Sequence, residues 1–246
     1  LFVREGRGVK PTAMADALMP AVRDALDRLR AGLEQRSTFE PSRSTRVFNI
    51  SARDAGAFIL GPEMARRLET EAPGIRIAWS QVQRGHISTE LASGRLDLAI
   101  DVADLRGRDL ESVELLATPY ACVMSRDHPS AGKELAMDDF VALRHVVVSS
   151  RREGRSYVEE IARAAGHRIT PVMRLPHHMP ALEIVRRTHL VATVPLPLAE
   201  SSGLAVLPLP PVFPHLRSVL YWRRENAEDP ALTWLRDLVQ QLAEAG

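Results

Sequence analysis

The chain has 246 residues, of which 45% are hydrophobic and 26% charged, values typical of a folded globular protein that exclude disordered, collagen-like and disulfide-rich classes. Its 32 lysines and arginines nearly balance 31 aspartates and glutamates, so charge alone does not indicate a nucleic-acid-binding protein. A single cysteine, Cys122, lies in an apolar run, which predicts a buried structural thiol and a reducing, cytoplasmic location. Charges interrupt every apolar stretch before the ~18 residues that a membrane span needs, so no membrane association is expected.

The N-terminal segment predicts a small β-hairpin with a basic tip. A short apolar strand is followed by Gly6 and Gly8, which permit the positive φ angles of a tight turn. The chain starts at Leu1 without an initiator methionine or the apolar core of a signal peptide. We therefore expect it to be a piece of a longer protein.

Residues 13–33 show a helical pattern whose apolar positions alternate by three and four. This heptad-like seam favours pairing with a second chain through Leu18, Val22, Ala25 and Leu29. The alternative is an amphipathic helix lying on its own domain. Pro20 is expected to kink or divide the helix, and the polar, proline-containing residues 37–44 predict a linker.

Beyond the linker, short β-branched runs alternate with helical stretches, which predicts an α/β fold with a largely parallel sheet arranged as two Rossmann-like lobes. The predicted strands are residues 47–50, 75–79, 96–100, 120–124, 145–149, 171–175, 190–194, 205–207 and 218–222. The predicted helices are residues 57–71, 86–93, 156–165, 180–188 and 230–245. A two-strand hinge is expected, with one crossing near residues 125–127 and a stiff, proline-rich return at 208–214.

Signatures of catalysis and of a cofactor are absent from the sequence. The glycines near the N-terminus lack the third glycine of a dinucleotide fingerprint, and no phosphate-binding loop, nucleophile elbow or zinc-protease motif occurs. His177 and His178, with Glu183 nearby, are compatible with a metal site, a polar helix start or a small-molecule contact, and we expect no metal. Asp101 and Asp104 suit either an acid–base pair or a polar loop at a strand end, and we predict no catalytic role for them.

Two segments carry a resemblance to a known family. The opening LFVREGRGVKPT at 1–12, followed by an Ala/Leu-rich helix, is similar to the wing and linker helix of the LysR-type transcriptional regulators. LETEAPGIRI at 68–77, with LASGRLDLAI at 91–100 downstream, is similar to the family's pattern of helix, Pro-Gly, strand, helix and Gly-x-Leu-Asp-Leu. The resemblance implies a domain like the type 2 periplasmic binding proteins, with a small effector between its lobes and no catalysis.

The resemblance also implies a division of the chain and a set of functional residues. Residues 1–12 would be the wing of a truncated winged helix-turn-helix, 13–36 the linker and dimerisation helix, 37–45 a linker, 46–125 with 213–246 the first lobe, and 126–212 the second lobe. The residues expected to contact the effector are Ser51, Arg53, Asp54, Asp101, Val102, Ser149, Ser150, His177, His178 and Pro195. The residues expected to contact DNA are Arg4, Arg7, Lys10 and Thr12.

Each assignment has a simpler alternative. The basic side chains of the wing suit a solvated charge cluster as well as phosphate or minor-groove contacts. Ser149 and Ser150 suit helix N-caps as well as ligand contacts. Arg53 stands where many relatives carry a small polar residue, which indicates either a charged effector or a salt bridge to Asp54 that narrows the cleft.

The predicted function is that of an effector-responsive DNA-binding transcriptional regulator that acts as a homodimer or homotetramer. Double-stranded DNA would be bound through the complete protein, since the sequence-reading helices should precede Leu1 and this chain alone should not bind an operator specifically. An effector would act by changing the hinge angle. The alternatives are a solute-binding protein without DNA-binding function and an α/β enzyme with an unfamiliar site in the same cleft.

Overall fold

The computed structural model describes residues 1–5, 8–34, 39–103, 105, 107, 109–150 and 154–245. Its strands are β1 (Phe2–Glu5), β2 (Gly8–Pro11), β3 (Val47–Ser51), β4 (Arg76–Ser80), β5 (Leu98–Val102), β6 (Leu110–Thr118), β7 (Tyr120–Met124), β8 (His145–Val148), β9 (Met173–Leu175), β10 (Val191–Pro195), β11 (Ala205–Pro208) and β12 (Leu216–Arg223). Its α-helices are α1 (Ala13–Glu34), α2 (Asp54–Glu71), α3 (Arg84–Ala92), α4 (Met137–Ala142), α5 (Tyr157–Ala164), α6 (His178–Arg186), α7 (Leu196–Ser201) and α8 (Pro230–Ala245).

The N-terminal strands β1 and β2 form the expected antiparallel hairpin, and helix α1 follows it directly. The Thr12 hydroxyl accepts a hydrogen bond from the Ala15 N–H at 3.3 Å, which caps the start of α1. The predicted division at Pro20 is wrong, because α1 continues through it as one helix. A proline removes one N–H donor, and on an exposed helix the carbonyl left without that donor can bind water.

Two five-stranded sheets form the body of the molecule, which confirms the predicted two-lobed α/β fold. The first sheet has the order β4-β3-β5-β12-β6, and the second has the order β11-β7-β10-β8-β9. In each sheet three strands run parallel: β3, β4 and β5 in the first, and β8, β9 and β10 in the second. The remaining strands pair antiparallel, so the prediction of a largely parallel sheet is only half right.

The chain crosses between the sheets at two proline-containing segments. The first crossing is at Pro119, between β6 and β7, so the predicted crossing at residues 125–127 is wrong. The apolar run of β7 pairs with β10 and β11 of the second sheet, a long-range choice that its own composition does not reveal. The second crossing follows β11 at residues 209–215, where the sequence predicted the proline-rich return.

Both sheets are covered on both faces by buried apolar side chains, which gives each lobe its own core. In the first lobe, α2 and α8 pack on one face around Leu235 and Phe48, and α3 packs on the other around Leu91. In the second lobe, α6 and α7 cover one face, and α4 and α5 cover the other around Phe140. Cys122 is fully buried within β7, as predicted, and burial raises the pKa of its thiol to about 12.

Three elements escaped the sequence analysis: β6, α4 and α7. In β6, Val113 and Leu115 pack against the first core while the intervening Glu114 does not, so a period-two pattern was present but weakened by acidic residues. The helices α4 and α7 have only six residues each, too few to show a helical period. None of the described helices is long and apolar enough to cross a lipid bilayer.

Candidate functional site

A cleft lies at the carboxyl ends of the parallel strands in the first sheet. Since β3, β4 and β5 run in one direction, the loops that follow them meet at one edge, the usual place for ligands in such sheets. The cleft has a volume of about 430 Å³. It is lined by Ser51, Ala52, Arg53, Gln81, Val82, Gln83, Arg84, Ile87, Ile100, Asp101 and Ser150.

Arg84, the first residue of α3, has its guanidinium fixed on one wall of this cleft by the chain itself. Its Nη1 lies 3.0 Å from Asp101 Oδ1, and the guanidinium donates to the carbonyls of Val102 at 3.2 Å and Ala103 at 2.6 Å. Asp101 also accepts from the Val102 N–H at 2.7 Å. The Arg84 and Asp101 charges therefore neutralise each other.

Arg53 stands immediately before α2 at the boundary of two cavities, and its side chain is half-buried. Within the part of the chain that the structure describes, no carboxylate lies within ion-pair distance of its guanidinium. The hypothesis of a salt bridge from Arg53 to Asp54 is therefore wrong: Asp54 is engaged by another partner. Arg53 contributes a positive charge that the described groups do not neutralise.

The partner of Asp54 is His178, at the start of α6 in the second lobe. The His178 backbone N–H donates to Asp54 Oδ2, and the His178 Nδ1 lies 2.8 Å from Asp54 Oδ1. Burial by itself would raise the pKa of the Asp54 carboxyl, but the hydrogen bonds and charge of His178 outweigh it and hold the pKa below its ordinary value. This carboxylate is thus a direct polar link between the two lobes.

A smaller cavity of about 90 Å³ is lined by residues of both lobes and shares Arg53, Ile100 and Asp101 with the larger one. Its other lining residues are Ala55, Gly56, Ile59, Val102, Thr118, Tyr120, His178, Pro195, Leu216 and Ser218. The ring of Tyr120 packs on that of Tyr157 at 5.3 Å. Burial raises the pKa of the Tyr120 hydroxyl, against the positive charge of Arg53, so this wall offers a neutral hydroxyl.

The structure brings seven of the ten predicted effector-contact residues to these cavities. Ser51, Arg53, Asp101 and Ser150 line the larger cavity, and Arg53, Asp101, Val102, His178 and Pro195 line the smaller. Asp54, Ser149 and His177 line neither. The Ser149 N–H donates to the Leu175 carbonyl at 2.7 Å, and His177 is exposed at the N-cap of α6.

The N-cap alternative for Ser149 and Ser150 is wrong. Helix α5 begins only at Tyr157, and Ser156 caps it together with Glu159 in a capping box. Of the two serines, Ser150 is exposed and faces the larger cavity, whereas Ser149 is buried. Among the described residues, Ser150 is therefore the one from the second lobe that lines the larger cavity.

Gln81, Gln83, Arg84 and Tyr120 line the cavities but were not predicted from the sequence. The first three follow the carboxyl end of the predicted strand β4, so their position in the sequence was a usable signal. Tyr120 starts β7, which was assigned to the wrong lobe, so its place beside the cleft was hidden.

Among the described residues, no group of three His, Cys, Asp or Glu side chains could hold a metal ion. His178 marks the polar start of a helix, one of the predicted alternatives, and Glu183 pairs with Arg186 and Arg187 instead of facing the histidines. Asp104 lies outside the described residues. The cleft can therefore bind and orient a small molecule through a guanidinium, amides, hydroxyls and apolar walls.

The hairpin presents the residues predicted to contact DNA in different ways. Arg4 is opposite Val9 and Lys10 is opposite Val3, which places the two basic residues on opposite faces of the ribbon. Thr12 donates to the Leu1 carbonyl at 3.1 Å and caps α1, so its hydroxyl is engaged by the chain itself. Arg7 lies outside the described residues.

The predicted dimerisation residues lie along α1 and are exposed. Leu18 is 41% exposed, Val22 48% and Leu29 63%, and Ala25 is exposed between them. Near its end, α1 contacts the first lobe where Arg28 donates to the Ser93 carbonyl. The apolar stripe itself remains open to solvent in the single chain.

Comparison with known proteins places the chain among bacterial regulators. The family model described as the LysR substrate binding domain matches residues 42–244. The chain is 31% identical to the HTH-type transcriptional activator NagR of a Ralstonia species and 30% identical to NahR of Pseudomonas putida, in each case over 98% of this chain and 82% of the relative. It also superimposes on the crystal structure of a probable transcriptional regulator from Pseudomonas aeruginosa with a TM-score of 0.83 at 31% identity, over 98% of this chain and 81% of that one.

Proposed function

The chain belongs to the LysR-type family of transcriptional regulators, and from this premise we propose which of its residues bind effector, DNA and a second subunit. The family consists of regulators and not of enzymes, and its members bind DNA and small-molecule effectors and typically oligomerise. This chain is accordingly an effector-responsive transcriptional regulator with a type 2 periplasmic-binding-like effector domain.

The effector site in our proposal is the 430 Å³ cleft between the lobes, together with the smaller cavity that shares part of its lining. The observation that carries this proposal is that groups from both lobes meet there: Arg53 and Asp101 from the first, Ser150 and His178 from the second. A ligand held by both lobes stabilises a particular hinge angle, and it shifts the population only as far as it prefers that angle. Asp54 takes part by holding His178 in place.

The lobe boundaries are part of the same proposal. The pairing of β7 within the second sheet supports ending the first lobe at residue 119 and not at 125, and resuming it at 213. The wing at 1–12, the dimerisation helix at 13–36 and the linker at 37–45 keep their predicted bounds.

A substitution that fills the cleft tests the effector site. Ser150→Trp places an indole against the larger cavity, whereas Ser42→Trp places one at an exposed position that lines neither cavity. In a transcription reporter driven by the complete gene product, we expect Ser150→Trp to abolish the response to added cell extract and Ser42→Trp to retain it. An unchanged response of Ser150→Trp would contradict the cleft as the effector site.

Operator binding is proposed to involve Arg4 and Lys10 as backbone contacts, with Arg7 between them in sequence. Their position on opposite faces of a narrow ribbon suits phosphates on the two walls of a groove. The complete gene product should enrich a two-fold symmetric site from random double-stranded DNA. Arg4→Ala should weaken binding to all sequences alike and reduce the salt dependence by about one ion, and an effect confined to particular bases would contradict the backbone role.

The exposed stripe of α1 supports a homodimer or homotetramer formed through Leu18, Val22, Ala25 and Leu29. A charge introduced into the stripe should disrupt this packing, so in sedimentation equilibrium Val22→Asp should shift the oligomer toward monomer. Val172→Asp is the matched control, since Val172 is 46% exposed and lies in the second lobe. Equal dissociation of both variants would contradict the assignment to α1.

A further inference from the structure

The charges around the cleft define the kind of molecule it accepts. Its lining contains two arginines and one aspartate, and the Arg84 guanidinium is neutralised by Asp101 at 3.0 Å. The Asp54 carboxylate pairs with His178, whose Nδ1 lies 2.8 Å from Asp54 Oδ1. Among the described residues that line the cleft, Arg53 is the charged side chain left without an ion-pair partner.

Arg53 is held where a ligand can reach it. It precedes α2 without using its side chain as a cap, lines both cavities and is half-buried, so its field is less screened than that of a surface arginine. A guanidinium offers two parallel N–H donors that match the two oxygens of a carboxylate. The described lining also offers neutral polar groups, the Tyr120 hydroxyl and the amides of Gln81 and Gln83.

Aliphatic side chains line part of both cavities. Val82, Ile87 and Ile100 form an aliphatic wall of the larger cavity, and Ile59 and Leu216 continue it into the smaller one. A highly polar ligand would leave these surfaces in contact with unpaired polar groups, which is unfavourable. The apolar wall therefore selects a hydrocarbon body.

We propose that the effector is a small monocarboxylate whose carboxylate is bound by the Arg53 guanidinium and whose apolar body lies on Val82, Ile87 and Ile100. This inference rests on the proposed effector cleft and names its ligand class. A phosphate group carries close to two charges at neutral pH, whereas the described lining leaves one guanidinium without an ion-pair partner. A neutral ligand would offer Arg53 at most neutral hydrogen bonds, which are weaker than those of a carboxylate.

The test compares charged and neutral ligands of the same shape. The chain is titrated at neutral pH with linear, branched and aromatic monocarboxylates from butanoate to phenylpropanoate, each beside its primary amide, with inorganic phosphate as a further probe. Thermal unfolding and calorimetry are followed up to ~20 mM ligand, where binding to the native state must raise Tm. We expect saturable stabilisation by a subset of the carboxylates and binding of their amides at least ~10-fold weaker.

Variants assign the effect to Arg53. Arg53→Gln should remove the preference for carboxylates. Arg53→Lys should retain it in weakened form, because lysine keeps the positive charge but lacks the two parallel N–H donors of the guanidinium. Arg43→Gln is the matched control, because Arg43 is exposed and pairs with Glu40 away from the cleft. If Arg53→Gln is unstable, the Arg53→Lys variant still tests the role of the guanidinium.

The outcomes separate the ligand class from the regulatory function. Equal binding of carboxylates and amides, carboxylate binding unaffected by Arg53→Gln, stronger stabilisation by phosphate, or no binding by any carboxylate would each overturn the monocarboxylate proposal. The DNA-selection experiment uses none of these ligands. A specific DNA site found together with any of those results would leave the regulator role standing and remove only the ligand class.

Discussion

Replacing Asp54 with asparagine tests whether the contact between the lobes stabilises the molecule. The carboxylate accepts two hydrogen bonds from His178, one from the backbone and one from Nδ1 at 2.8 Å, and its side chain is 22% exposed. A hydrogen bond to a charged group contributes ~1.5–3 kcal/mol. Because asparagine keeps one acceptor and the site is partly solvated, we expect Asp54→Asn to lower the free energy of unfolding by about 2 kcal/mol.

The pH dependence of this loss follows from the lowered pKa of Asp54. A carboxyl whose pKa is lower in the native state stabilises it at every pH above its unfolded value of ~3.9, and this stabilisation is lost as the pH falls through the native pKa. The difference between the wild type and Asp54→Asn should therefore shrink as the pH falls below about pH 4.

Urea unfolding followed by circular dichroism measures both effects. Glu63→Gln is the control, because Glu63 forms an exposed pair with Arg66 on the same helix, and it should cause no measurable change. Hydrogen exchange gives an independent readout, since the His178 N–H should exchange faster in Asp54→Asn. A loss below ~0.5 kcal/mol at neutral pH, or one that does not shrink below about pH 4, would refute the reasoning.

Three further predictions concern individual residues. The Cys122 thiol, whose pKa is raised by burial to about 12, should react with a disulfide reagent only on unfolding, and fast reaction in the native state would contradict its burial. Gly94→Ala should destabilise the protein by ~1–2 kcal/mol because φ is +69° there, whereas Gly61→Ala, inside α2 with open space around it, should stabilise it slightly. Equal urea midpoints for the wild type and Gly94→Ala would exclude backbone strain at residue 94. Arg46→Met should cost ~3–5 kcal/mol in urea unfolding because it leaves two partly buried carboxylates without their cation, and a neutral effect would contradict this ion-pair network.

The features that depend on local sequence were predictable. Gly94 ends α3 with φ of +69°, and Leu96, Leu98 and Ile100 form the buried segment that it precedes, as the pattern indicated. Asp101 could be placed at a ligand edge because it ends a buried run of a parallel strand. These inferences required only residue type and spacing.

The features that depend on distant pairing were not predictable in the same way. The composition of β7 indicates a strand but does not say that its partners are β10 and β11, and so the crossing at Pro119 was missed. Asp54 pairs with His178, which is 124 residues away, whereas the sequence suggested the adjacent Arg53 as its partner. In both cases the prediction relied on neighbours in the sequence, and the observed contacts join residues that are distant in it.

The prolines at both crossings restrict how the lobes can move. Proline fixes φ near −65°, and one crossing consists of Pro119 alone while the other contains Pro210, Pro211 and Pro214. Four φ rotations are therefore removed from the two segments that join the lobes, which reduces the number of backbone torsions that can change when the lobes move relative to each other. We expect ligands of different size to hold the lobes at different angles within this restricted range.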